Sequence, residues 1–237
     1  MIARPPCGQA PPVSIPARSA VPPGIVGGVN DIPEEEAASI DSVALEEWLA
    51  RLAGASGVPG GGAACALMTA TAAAMVEMVG GYAGDEGEGI VSRAADSRRR
   101  ALEAIERDAL RSGELGDALR RYREDGTDAA DRAARDTAVA SAHSAAELGE
   151  VGVSLIADVA RLLEVSERYL VPDIVVAAEG VAAGLAGASA IAWADLRLAE
   201  AHGDHGDDLR AVRERIGALV RARSEVDELR RSAAARV

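Results

Sequence analysis

The chain has no lysine and no phenylalanine, and its 237 residues include only two cysteines, three histidines and a single asparagine, Asn30. Each absence closes off a kind of chemistry. Without lysine there is no Schiff base and no lysine general base, and the fixed positive charges are all arginine guanidiniums. Cys7 falls in a proline-rich stretch and Cys65 in an apolar one, so no disulfide framework is expected and a reducing, cytoplasmic setting is the natural reading. Cys65 reads as a small core residue, with a catalytic thiol as the alternative. Aromatic residues make up 2% of the chain, too few for the aromatic and β-branched surfaces of a β-sandwich. Positive charge is also short: 38 acidic residues against 25 basic ones give a net charge of −13. That balance offers no basic stripe for a phosphate backbone, so no nucleic-acid partner is expected, and anionic membrane surfaces are disfavoured.

What remains is alanine, valine, leucine and glycine, within a hydrophobic fraction of 49%. Alanine is the strongest helix former, and small side chains let helix axes approach closely. The expected fold is all-α, a bundle of long alanine-rich helices that associates as a symmetric homodimer. Residues 1–38, with prolines at 5, 6, 11, 12, 16, 22 and 23 and then Glu34 to Glu36, read as a flexible leader with no continuous apolar core of a signal peptide. The helical domain is placed at 39–237. Two uncharged stretches, Pro59 to Val76 and Gly180 to Ala194, read as buried helices too short or too weakly apolar to span a bilayer, so no membrane partner is expected.

Apolar spacing predicts the elements in order. A first helix, capped by Asp41 or Ser42, carries Val43, Leu45, Trp48, Leu49 and Leu52. A second runs from about Ala63 to Tyr82, a third from Gly89 to Arg111, and a short one from Glu114 to Arg123. Thr127 can cap a helix from Asp128 to about Leu148, followed by one from Glu150 to Ser166. Pro172 sits at the first turn of a helix from Asp173 to about Glu200, and a charged helix closes the chain from Asp207 to Arg231. No strand and no fixed-period repeat is evident.

Four features bear on chemistry. Pro59-Gly60-Gly61-Gly62 leads into the second helix, leaving an N-terminus with uncovered backbone N–H groups that suits an anion or a carbonyl, or else making only a tight turn. His202-Gly203-Asp204-His205-Gly206-Asp207-Asp208 offers metal-ligand types, although its glycines equally mark an exposed interhelical turn, and no metal is expected. His143 reads as a core or interface histidine, or as a general acid or base. The run Arg98-Arg99-Arg100 reads as a solvated face, with anion binding as the alternative.

Ser42 to Leu49, then Pro59-Gly60-Gly61-Gly62-Ala63-Ala64, then Met75-Val76-Glu77-Met78-Val79 resemble the amino-terminal signature of the formiminotetrahydrofolate cyclodeaminase and methenyltetrahydrofolate cyclohydrolase family. Arg98 to Asp108 is similar to that family's helix ending in an acidic residue. Pro172-Asp173 resembles its Ser-Asp helix start and Gly187-Ala188 a later Gly-Ala pair, the whole covering roughly residues 40–232. The resemblance implies an all-helical homodimer that takes reduced folate as substrate, with no separate cofactor. It assigns catalytic roles to Asp108 and Asp173, with Asp195 substituting for a lost amide, and substrate binding to Pro59, Gly60, Gly61, Gly62 and Ala63. Arg99 and Arg100 are assigned to the anionic glutamate tail.

The sequence departs from the family pattern at Ala63 and Pro172, where serines are usual, and at Ile191 and Asp195, where asparagines are. Three functions therefore stay open. One is a folate enzyme acting on the N5–N10 bridge, as cyclohydrolase or cyclodeaminase. Another is the same scaffold turned to a cyclase or deaminating lyase reaction on a non-folate substrate. The third is a noncatalytic helical dimerisation module.

Overall fold

Side chains of one or no carbon set how closely this chain packs. The computed structural model describes residues 44–55, 57–203 and 206–237; the expected leader, Cys7, Asp41, Ser42, Val43, Asp204 and His205 lie outside them. The helices are α1 (Leu45–Leu52), α2 (Gly61–Tyr82), α3 (Glu88–Asp125), α4 (Asp128–Ser154), α5 (Ile156–Val165), α6 (Val171–Ala201) and α7 (Gly206–Ala234), with single 3₁₀ turns at Gly84–Glu86 and Arg168–Leu170. No strand occurs among the described residues, as expected for an all-α chain.

Helices α2, α3, α4 and α6 form a ring in which each packs against the next and α6 closes back onto α2. They alternate in direction: the start of α2 meets the middle of α3 at Ala63 and Asp108, while its end at Gly80 meets Ile90. This is an up-down-up-down bundle. Helix α7 lies along α6 and α4, and α5 packs on α6, α7 and α2. The short α1 is held by Trp48, buried among Ala63, Cys65, Ala66, Ala104, Ile105, Leu148 and Ala188.

The α2–α6 seam explains the composition. A Cβ on Gly180 would lie 2.9 Å from the Ala72 Cβ, one on Gly184 would lie 2.3 Å from Thr69 Oγ1, and one on Gly187 would lie 2.1 Å from Cys65 Sγ. These glycines face α2 three and four residues apart, so its backbone comes nearly into contact with α6. Thr69 cannot readily swing aside, because its hydroxyl donates to the Cys65 carbonyl at 3.0 Å inside the core.

Helix limits depart from the sequence expectation at two places where a break was expected. Gly113 does not separate two helices; α3 runs 38 residues without a break, spanned there by Arg111–Glu114 and Arg120–Asp117 ion pairs. Gly149 does not end α4 either, since it is where Leu219 of α7 packs, and a Cβ there would sit 2.4 Å from Leu219 Cδ1. The break falls instead at Leu155, itself fully buried. Thr127 caps α4 as expected, accepting from the Ala130 N–H at 3.2 Å. Pro172 sits in the first turn of α6.

One expectation needs correcting. The two uncharged stretches belong to longer helices, and both the Gly61–Tyr82 helix and the Arg168–Ala201 segment are long and apolar enough to cross a membrane. Of their most apolar windows, 56% and 50% respectively is buried inside the bundle.

Two glycine substitutions separate packing from helix propensity. Gly184→Ala is expected to destabilise the protein by about 1–3 kcal/mol through overpacking against Thr69. Gly113→Ala, with nothing within 4 Å of its Cβ position, is expected to stabilise it by about 0.5–1 kcal/mol. Urea unfolding of both variants tests the pair of signs.

Candidate active site

Helix α2 starts without a local cap. Pro59 leads to Gly60, which is extended at φ −117° and ψ −161° and offers no side-chain acceptor to the first turn. The acceptor comes from α3: Asp108 Oδ2 takes a hydrogen bond from the Ala63 N–H at 2.9 Å. Only glycine at position 62 permits this approach, because a Cβ there would lie 1.8 Å from Asp108 Oδ1. The anion that the exposed N-terminus was expected to attract is thus supplied in part by the protein's own carboxylate. Ala63 is fully buried, so its contribution is this N–H and not a side-chain contact.

Helix α6 brings a second carboxylate to the same place. Ile191 Cδ1 lies 3.7 Å from the Cβ position of Gly61, and Asp195 follows one turn later. Asp195 Oδ2 accepts from the buried hydroxyl of Ser141 on α4 at 2.7 Å. All four ring helices therefore contribute, and both carboxyls are only partly exposed. Burial pushes the Asp108 carboxyl above its ordinary range, the Ala63 N–H opposes this, and the charge of Asp195 raises it further. Asp195 is likewise raised by burial, opposed by the Ser141 hydrogen bond. Next to them the Cys65 thiol is pushed up by burial and then by the Asp108 charge. A buried thiol shifted in that direction is a poor nucleophile, which favours the core reading of Cys65.

The remaining candidates lie elsewhere. Asp173 occupies the first turn of α6, 22 residues before Asp195 and about 33 Å away along the helix axis, so the chain does not bring the two together. Arg99 precedes Asp108 by nine residues, about two and a half turns, and so projects from the opposite side of α3. It pairs there with Asp96 and Glu103. Arg100 is exposed and Arg98 bonds Glu77 of α2 at 2.9 Å. His143 Nδ1 lies 3.0 Å from the Arg215 guanidinium and lines a pocket of about 370 Å³ between α4 and α7, away from the aspartates.

His202 is held by residues outside the metal-like motif. Its Nδ1 pairs with Asp131 at 2.8 Å and its ring meets Tyr122 edge-on. No metal-ligand cluster occurs among the described residues. Ser141 was missed by sequence reasoning: a serine inside an alanine-rich helix carries no signal that its partner lies 54 residues ahead.

Residues 44–196, about two-thirds of the chain, match the family model described as formiminotransferase-cyclodeaminase. The chain belongs to this family. Among solved structures it is similar to a formiminotetrahydrofolate cyclodeaminase from Thermotoga maritima, with a TM-score of 0.65 at 17% identity, covering 82% of this chain and 99% of that one. At that identity the likeness shows the shared fold. No curated protein matches the chain significantly. Membership in the formiminotransferase-cyclodeaminase family makes the chain one of a group of folate-metabolising enzymes, and the matched segment contains both Asp108 and Asp195.

The raised carboxyls set the sign of a stability test. A carboxyl whose folded-state pKa exceeds the unfolded one favours folding most at low pH, and that contribution is lost as pH rises through the folded value. Asp108→Asn keeps an acceptor for the Ala63 N–H while removing the charge. It is expected to raise the Tm at pH 7, with the gain vanishing as the pH approaches the ordinary carboxylate value of 3.8. Thermal melts across this pH range test it, and a loss of Tm at pH 7 would contradict the raised pKa.

Proposed function

We propose that this chain is a folate one-carbon enzyme acting on the N5–N10 bridge of reduced folate, as a methenyltetrahydrofolate cyclohydrolase or a formiminotetrahydrofolate cyclodeaminase. The observation that carries the proposal is the convergence of Asp108 and Asp195, from α3 and α6, on the glycine-opened start of α2. Both reactions pass through a cationic carbon between two nitrogens. An ionised carboxylate beside that carbon stabilises the cation, and a second carboxyl with raised proton affinity can give or take the proton.

In the cyclohydrolase direction, one carboxylate removes a proton from water as its oxygen bonds to the bridging carbon. The other carboxyl protonates N5 as the carbon–N5 bond breaks, and the new hydroxyl gives its proton back to that carboxylate to leave a formyl group on N10. In the cyclodeaminase direction the base takes the N10 proton as N10 attacks the formimino carbon, and the acid protonates the departing amine. The N–H groups of Gly61 and Gly62 supply donors toward a pterin carbonyl, and apolar Ile191 packs beside them. Asp173 and Arg99 stand outside this pair, and Arg100 is kept only as an outer contact for an anionic tail.

The assembly proposed is a homodimer in the cytoplasm. It rests on an outward face of α2 where Ala64, Met68, Thr71, Met75, Met78 and Tyr82 recur three and four residues apart without a charge. Met78 and Tyr82 are 41% and 65% exposed, and this pattern suits packing against a second helix pair. Sedimentation is expected to give twice the 24.2 kDa chain mass; a monomer at micromolar concentration would remove the dimer and leave the site as described.

Activity is tested by following the ultraviolet chromophore of methenyltetrahydrofolate and, separately, ammonia release from formiminotetrahydrofolate, each against a protein-free blank. Acceleration of either is expected, lowered about 10²–10⁴-fold in Asp195→Asn and in Asp108→Asn. If neither substrate reacts faster than the blank, the folate reading fails.

A further inference from the structure

We infer that Ser141 is a positioning residue for this site: its hydroxyl fixes Asp195 as the carboxylate that receives the proton, leaving Asp108 as the group that gives one. The inference rests on the proposed acid–base role of the two aspartates and extends it to a residue on a third helix.

Geometry carries it. Ser141 is 8% exposed and lies on α4, while Asp195 lies on the adjacent ring helix α6. The bond between them is short, 2.7 Å from Ser141 Oγ to Asp195 Oδ2. Thr69 and Ser189 turn back on their own helices, to the Cys65 and Leu185 carbonyls, and buried Ser97 of α3 meets another hydroxyl, Ser154 of α4, at 3.1 Å. Ser141 instead spends its hydroxyl proton on a carboxylate 54 residues away. A carboxylate lacks protons of its own when ionised, so a fixed hydroxyl donor favours that form and also fixes the orientation of the free oxygen.

The groups around Asp195 leave Ser141 as its donor. From α3 the nearby acid is Asp108, whose own ionisation the charge of Asp195 opposes. From α2 the nearby titratable group is the Cys65 thiol, which feels the Asp108 charge. On α4, His143 projects about 200° around the helix from Ser141 and is engaged with Arg215 of α7. On its own helix, Glu200 is paired with Arg213 of α7. No arginine bonds Asp195 among the described residues. Removing the Ser141 hydroxyl therefore strips a part-buried carboxylate of its one side-chain hydrogen bond and leaves the neighbouring acid in place.

The test reads Asp195 directly, without substrate. The full chain is labelled with ¹³C at aspartate carboxyls, the Asp195 resonance is assigned by its absence in Asp195→Asn, and its titration is followed in wild type, Ser141→Ala and Ser141→Thr. The midpoint of Asp195 is expected to move to higher pH in Ser141→Ala and to return toward wild type in Ser141→Thr. If methenyltetrahydrofolate turns over, Ser141→Ala is further expected to lower kcat about tenfold near neutral pH and to shift the acidic limb of the pH profile the same way. An unchanged or lower midpoint in Ser141→Ala, or no restoration by threonine, overturns the inference. Because the titration needs no folate, absent turnover would count against the proposed reaction alone.

Discussion

The hydrogen bond from the Ala63 N–H to Asp108 ties the candidate site to the packing of the bundle. A helix N-terminus leaves its first N–H groups unsatisfied, and here α3 supplies the acceptor in place of a local cap. The bond exists only because the two helices approach within a distance that a single added carbon at Gly62 would forbid. The same economy of side-chain volume recurs where Gly184 and Gly187 of α6 meet Thr69 and Cys65 of α2. An alanine- and glycine-rich composition is therefore what lets three helices converge on one turn.

That convergence has an electrostatic consequence. Two carboxyls held near each other and partly out of water both resist ionisation, and at Asp108 the charge of Asp195 adds to the effect of burial. Such an arrangement costs stability and would gain nothing in a purely structural bundle. It is relieved by a cation placed between the carboxyls, which suits a substrate whose reacting carbon carries positive charge. Arg98, Arg99 and Arg215 do not provide that relief, since each is engaged with other acids.

Much of the secondary structure was legible. Proline before three glycines marked the start of α2, Thr127 marked the start of α4, and Pro172 the start of α6, because each acts through local backbone chemistry. The breaks expected at Gly113 and Gly149 do not occur. A glycine in a helix is weak evidence of an end when its neighbours are packed, and the reason Gly149 is tolerated, Leu219 of α7, lies 70 residues away. For the site, Asp108 and Asp195 were candidates from the family resemblance, but so were Asp173 and Arg99. The expected helices already held Asp173 at the far end of the helix bearing Asp195 and Arg99 nine residues before Asp108; what they did not show was which of these positions faced the start of α2.

From composition, charge and motif alone came the all-α class, the exclusion of lysine chemistry, the family likeness and the importance of the Pro-Gly-Gly-Gly turn. These follow from intrinsic propensity and from residues adjacent in the chain, which act over a few ångströms of backbone. Which aspartates share a site, which serine serves one of them and which glycine makes room for the other were decided only when α2, α3, α4 and α6 closed into a ring. Those relations depend on helix phase and axis separation, and both are set by side-chain packing between segments distant in sequence.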